Sequence, residues 1–185
     1  MALTKTPVCD FGKKAEDFKL KSIENKIISL NDIKGEKATL IMFICNHCPY
    51  VKAIIRALAA DCNELQKEGI KSVAIMSNDT ENYPEDSFEN MIRFAKINNF
   101  GNTNYLIDET QEIAKKYGAV CTPDFFGFNK DLELQYRGRY SELKDLKPII
   151  SGESDLKVAM RSIAKNQKGP LDQIPSMGCN IKWKN

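Results

Sequence analysis

The chain is expected to fold as a three-layer α/β domain with a central mixed sheet between helices, and three stretches carry that expectation. Residues 39–44 are an unbroken run of apolar and β-branched side chains, which suits a strand covered on both faces. From Val51 the apolar positions change period, so that Val51, Ile54, Ile55, Leu58, Ala59, Cys62 and Leu65 fall on one face of a helix. Gly69 stops that helix and residues 70–76 form the next apolar strand. Strand, helix and strand in this order imply a right-handed crossover and a parallel pair.

The remaining elements follow in order. Residues 15–20 and 25–30 alternate apolar and polar side chains on either side of 22–25, the pattern of an N-terminal hairpin extension. Residues 29–35 read as a single helical turn with a Gly stop. An inserted helix carries Phe88, Met91, Ile92 and Ala95 on one face, with Pro84 and acidic residues at its start. Residues 105–107 make a short strand, and Asp108 with Gln111 has the spacing of a capping box for a helix that ends at Gly118. Residues 119–128 and 132–138 are two strands joined by a turn at 129–131. Leu156, Ala159, Met160, Ile163 and Ala164 mark a final helix from about Ser154. The tail, residues 167–185, is expected to be extended and irregular, docked through Ile174, Met177, Ile181 and Trp183. No repeat or flexible linker divides the chain, so residues 1–185 are expected to be one domain.

Composition narrows the function classes. Twenty-seven Lys and Arg against 25 Asp and Glu leave a net charge of +2, with no basic footprint for nucleic acid. Residues 1–5 lack the apolar core of a signal peptide and no run approaches a membrane span, so a cytoplasmic protein without membrane contact is expected. A chain of 185 residues can bury its core without disulfide staples, and its six cysteines are expected to be reduced apart from one redox pair. Asn78-Asp79-Thr80 matches a glycosylation sequon that an unsecreted chain does not use.

Between the buried strand and the long helix lies Cys45-Asn46-His47-Cys48, followed by Pro49, a residue tolerated near a helix start because it has no N–H to donate. Cys45 thus precedes a helix N-terminus, where orphan N–H groups and the dipole favour the thiolate, the reactive form of cysteine. Two thiols at C-x-x-C spacing can close a disulfide and reopen it by exchange. The competing readings are a structural zinc site, which wants four ligands where no second C-x-x-C or His pair exists, and a pair of inert core thiols. No metal and no cofactor are expected. His47 is the only histidine; partly protonated, it would favour thiolate and lower the Cys45 pKa from about 8.5.

Strand, C-x-x-C and helix together resemble the active-site unit of the thioredoxin superfamily. That resemblance implies a thioredoxin-like fold and a cis bond at Thr122-Pro123, with Pro123 flanking the dithiol and leaving a neighbouring backbone edge to hold an extended substrate segment. Residues 15–18 and 30–35 look like the N-terminal extension of the redoxin branch, which holds the peroxiredoxins. Residues 45–51, 82–87 and 178–183 resemble a bacterial peroxiredoxin-like subgroup of the alkyl hydroperoxide reductase/thiol-specific antioxidant type. Peroxiredoxins carry a motif resembling Pro-x-x-x-Thr-x-x-Cys, with a distant Arg to hold the peroxide. Here Cys45 stands where that Thr would precede Cys48, and Ile41 where the Pro would; in the other register Met42 and Ala38 fill those places. Arg137 and Arg139 are the candidates for the guanidinium.

The expected function is therefore dithiol–disulfide exchange, with Cys45 attacking a protein or small-molecule disulfide, Cys48 resolving it and an external thiol reductant restoring the pair. A thiol peroxidase acting on hydroperoxides and a non-catalytic binding module are the alternatives. Cys179, in a tail where no helix or strand period demands a thiol, is a candidate extra resolving thiol. Cys9 and Cys62 read as a free thiol and a core filler.

Overall fold

The structure, a computed structural model, describes residues 3–184. Met1, Ala2 and Asn185, the ends of the expected domain and of its tail, lie outside the described residues.

The chain opens with a short strand that the sequence did not announce, β1 (Leu3–Lys5). The expected hairpin follows as β2 (Lys19–Ser22) and β3 (Ile27–Ser29), antiparallel and turned at Asn25, whose φ is +60°. Residues 15–18 stay outside it. Ser29 caps the one-turn helix α1 (Leu30–Ile33), exchanging hydrogen bonds with Asp32 in a capping box. Gly35 is not a left-handed stop. It is required by close approach, because a Cβ there would lie 1.9 Å from the Ala38 carbonyl oxygen.

Next come β4 (Ala38–Phe43), α2 (Pro49–Lys67) and β5 (Ile70–Met76), the last parallel to β4 with Ala38 opposite Ile70. Every residue of β4 is buried, and its side chains alternate between two cores. Leu40 and Met42 meet the apolar face of α2, whereas Ile41 and Phe43 meet the opposite layer. Pro84–Asp86 is a separate 3₁₀ turn rather than the start of the inserted helix α3 (Phe88–Ile97), which Ser87 caps through the Asn90 N–H. Ile92, expected on the buried face, is 41% exposed.

After β6 (Asn104–Ile107), the helix α4 (Glu112–Tyr117) forms without the expected capping box. Gln111 sits in the left-handed region at φ +63°, which leaves Asp108 to accept from the Ile113 and Ala114 N–H groups. Gln111 instead clamps the tail, donating to the carbonyls of Ser77 and Lys182 and accepting from the Lys184 N–H. The strand expected over 119–128 is two pieces, β7 (Cys121–Thr122) and β8 (Asp124–Asn129), separated by Pro123; β9 (Leu134–Tyr136) completes the hairpin. A second unannounced feature is the hairpin of β10 (Glu142–Lys144) and β11 (Lys147–Ile149). Helix α5 (Asp155–Asn166) starts from a Ser154 cap, as the sequence implies, and the tail ends in β12 (Met177–Asn180).

The main sheet has the order β3-β2-β6-β5-β4-β8-β9, with β4, β5 and β6 parallel and the outer pairings antiparallel. Helices α2 and α5 contribute to the core on one face, and α1 with α4 to the core on the other. The mixed three-layer architecture is the expected one. The tail departs from its expectation: β12 is a regular strand at the centre of a second sheet, β1-β12-β7, instead of an irregular segment.

Candidate active site

The C-x-x-C motif lies between the C-terminal end of β4, an interior strand of the main sheet, and the start of α2. Ile44 still pairs with Ile75, its N–H donating to that carbonyl at 3.0 Å, and the chain then leaves the sheet at Cys45. Pro49 opens the helix, so Cys48, not Cys45, is the N-cap of α2. Both sulfurs are buried, with residue exposures of 1% and 0%.

Thr122 meets both thiols. Its Oγ1 lies 3.2 Å from Cys45 Sγ, and its carbonyl accepts at 3.1 Å from Cys48 Sγ when that sulfur carries its proton. The Thr122–Pro123 bond is cis. The Thr122 backbone edge, expected to be free for a substrate segment, is taken: β7 pairs with β12, with Thr122 opposite Cys179 and Cys121 opposite Asn180. This pairing brings Cys179 Sγ to 3.0 Å from Cys48 Sγ. Gly178 makes the approach possible, because a Cβ at that position would lie 2.0 Å from the Thr122 carbonyl oxygen.

The thiols differ in acidity. Cys48 is lowered to about 5, first by its hydrogen bond with Cys45, then by Cys179 and by the Val51 N–H of the first helical turn, against the opposing effect of burial. Cys45 is pushed well above its usual value by that same hydrogen bond to Cys48, by burial and by the Asp86 carboxylate. Cys179 is raised to about 12 by burial and by its hydrogen bond to Cys48. The sequence placed the lowered pKa on Cys45; the helix begins at Pro49 as expected, and the Val51 N–H of its first turn serves Cys48, the N-cap.

His47 is not an exposed loop residue. Its ring stacks on Tyr83 at a centroid distance of 5.7 Å and an interplanar angle of 8°, and Nδ1 lies 2.7 Å from Asp86 Oδ2. Asp86 is fully buried and also accepts from the Asn46 N–H at 2.8 Å and the Asn78 Nδ2 at 2.7 Å. Asn46 in turn donates to the Glu85 carbonyl and accepts from the Tyr105 hydroxyl. Sequence reasoning missed Asp86, Asn46 and Asn78 as site residues. The signal for Asp86 was residues 82–87, which it used as a mark of resemblance and as a helix start; Asn46 lies inside the C-x-x-C and Asn78 was read only as the start of a sequon.

Among the described residues, Cys45, His47 and Asp86 bring potential metal-ligand atoms within 4.8 Å of one another. Two of the three are already joined by the His47–Asp86 hydrogen bond, and the set stops short of the four ligands of a structural zinc site. Neither candidate arginine serves the sulfurs. Arg137 is buried against Asp124, 2.9 Å away, donates to the Gly118 carbonyl and lies over the Phe126 ring. Arg139 pairs with Asp155. Cys9 is half-buried and raised to about 11, and Cys62 is buried in the α2 core and raised to about 12, both chiefly by burial. An apolar cavity of about 240 Å³ opens beside the dithiol, between Tyr50, Ile54, Pro123, Tyr140, Leu143 and Met177.

A thioredoxin-like sheet with two contacting thiols at the start of its long helix and a cis-proline beside them defines the class of thiol-based redox proteins. Residues 11–137 match the AhpC/TSA family, and the chain belongs to it. It is similar over its whole length to an uncharacterized conserved protein from Geobacillus kaustophilus, with 40% identity, 97% of that chain covered and a TM-score of 0.93. It also resembles a hypothetical protein from Sinorhizobium meliloti 1021, at 35% identity and a TM-score of 0.89, covering 98% of each chain. The fold alone is shared with the thioredoxin domain of a thiol-disulfide oxidoreductase from Bacteroides vulgatus, at 17% identity and a TM-score of 0.57, over 69% of this chain and 86% of that one. No curated protein sequence matches the chain. Among the described residues no helix is long and apolar enough to cross a membrane.

Proposed function

We propose that the chain is a thiol–disulfide oxidoreductase in which Cys48 attacks a small-molecule disulfide and Cys45 resolves the mixed disulfide. The observation that carries this reading is the surroundings of the Cys48 sulfur, which meets the Cys45 and Cys179 thiols and one backbone carbonyl. Thiols in contact are the groups that pass a disulfide from one sulfur to the next. A peroxide pocket would need a guanidinium there, and Arg137 is committed to Asp124.

We assign the attack to Cys48, the reverse of the order expected from sequence, because Cys48 is the N-cap of α2 and its sulfur lies 3.0 Å from the Cys179 sulfur. In the first step the Cys48 thiolate bonds to one substrate sulfur and the other leaves as a thiolate. Cys45 then loses its proton and attacks Cys48, releasing the second substrate thiol and closing Cys45–Cys48. His47, oriented by Asp86, has a nitrogen within 4.8 Å of the Cys45 sulfur and is placed to receive that proton through one water or a small ring movement. Pro123 walls the site. An external thiol reductant, in a cytoplasmic setting, returns the pair to its reduced state. The small-molecule assignment is supported by the β12 pairing, which occupies the Thr122 edge of β7 beside the dithiol.

The test is a side-by-side rate measurement with a small disulfide and a hydroperoxide under one reductant. Disulfide turnover should dominate and should be lost in Cys48→Ser. Hydroperoxide consumption far above disulfide turnover would make the chain a peroxidase, and turnover of neither would leave it a binding module.

A further inference from the structure

The proposed exchange uses two thiols, yet the site holds three. Cys179 is 5% exposed, 131 residues from Cys48 in the chain, and its sulfur is 3.0 Å from the Cys48 sulfur. A disulfide bond is about 2.05 Å long, so bond formation needs roughly 1 Å of closure. Cys179 is also part of the buried core on the α2 face. The position is set by three features that converge on it: the β12–β7 register that puts Cys179 opposite Thr122, the pairing of β12 with β1 on its other edge, and the absence of a side chain at Gly178.

We propose that β12 is a built-in exchange strand, and that Cys179 competes with Cys45 for Cys48 to give a Cys48–Cys179 disulfide as a second oxidised form. This rests on the exchange reading above. Once the Cys48 thiolate has opened a small disulfide RSSR and one RS⁻ has left, Cys48 carries the other half as a mixed disulfide. Cys179 then gives its proton to the departing thiolate as its sulfur attacks Cys48; the Cys48–SR bond breaks and the Cys48–Cys179 bond forms. Two electrons pass from the Cys48 thiolate and the Cys179 thiol to RSSR, which leaves as one RS⁻, protonated by solvent, and one RSH. The product ties the strand that covers the site to the site itself. Cys45 reopens it by attacking Cys48, and Cys179 is released as a thiol. The Cys48 sulfur is thus the common member of both disulfides.

The experiment treats the reduced, full-length Cys45→Ala variant with excess hydroxyethyl disulfide, blocks the remaining thiols with an alkylating agent and maps the disulfides by peptide mass spectrometry. The expected result is the loss of two free thiols per chain and a Cys48–Cys179 linked peptide, with the hydroxyethyl adduct on Cys48 only transient. Adding Cys179→Ala should turn that adduct into the stable end product. A persistent Cys48 adduct in the single Cys45→Ala variant, with no linked peptide, would overturn the inference and leave the exchange reading standing. No adduct and no linkage at Cys48 in the wild-type protein would overturn both. If Cys45→Ala does not fold, the same time course on the wild-type chain decides: a Cys48–Cys179 peptide beside Cys45–Cys48 supports the inference, and Cys45–Cys48 alone at every time point overturns it.

Discussion

The opposite acidities of Cys45 and Cys48 are two consequences of one buried contact. Each thiol alone would be raised by burial; together, one keeps a proton and donates it to the other, whose negative charge also faces the Val51 N–H. The Asp86 carboxylate adds to the cost of charge on Cys45, and it is held by Asn46, His47 and Asn78. A measurable consequence is the pH dependence of stability in the reduced protein. Cys48 has a folded pKa below its unfolded one, so its thiolate stabilises the fold fully above about pH 9, and that contribution is lost as pH falls toward 5. Denaturant unfolding of the reduced wild type, minus that of Cys48→Ser, should therefore show a stability difference that shrinks as pH falls from 9 to 5, with a slope of at most about 1.4 kcal/mol per pH unit. A difference independent of pH would assign the thiolate elsewhere.

At the scale of elements, β12 decides what reaches the dithiol. Gly178→Ala should push the strand off β7, since the new Cβ would meet the Thr122 carbonyl at 2.0 Å and backbone on both sides must give way. The expected cost is about 1–3 kcal/mol, the range for overpacking a tight contact. Alkylation of Cys179, followed by mass spectrometry, should be faster in the variant than in the wild type. Unchanged protection would mean that β12 accommodates the methyl group and that the glycine is incidental. The same strand shows where sequence is mute. The β4–α2–β5 unit was legible because its hydrophobic period is carried within its own residues, and the final helix was legible from its apolar face and Ser154 cap. By contrast, Met177–Asn180 has no alternation of its own and becomes a strand only through partners at residues 3–5 and 121–122. The β10–β11 hairpin turns at Asp145 and Leu146, both at positive φ, without the glycine that announces such a turn. At the site, the spacing of Cys45 and Cys48 was plain, but Asp86 reaches the two residues between them, Asn46 and His47, across 40 and 39 residues of chain, from a turn whose acidic residues read as ordinary helix-start charges.

At the scale of the whole molecule, the two candidate disulfides constrain the chain very differently. Cys45–Cys48 closes a loop of four residues, whereas Cys48–Cys179 closes one of 132 and, with β1 lying on the other edge of β12, draws both ends of the described chain to the C-x-x-C turn. In the loop-entropy treatment, a cross-link removes more freedom from the unfolded chain the longer the loop it closes, which gives about 2 kcal/mol for the short loop and about 5 kcal/mol for the long one. The fold already holds the Cys48 and Cys179 sulfurs in contact, so most of that difference should survive as native stability. Oxidised Cys45→Ala, locked as Cys48–Cys179, should therefore gain about 3 kcal/mol more over its own reduced form than oxidised Cys179→Ala, locked as Cys45–Cys48, gains over its own. Comparing each variant with itself removes the effect of the substitution. Denaturant unfolding of the four forms measures it directly, and equal gains in the two variants would show that the long cross-link distorts the folded state by as much as it restrains the unfolded one.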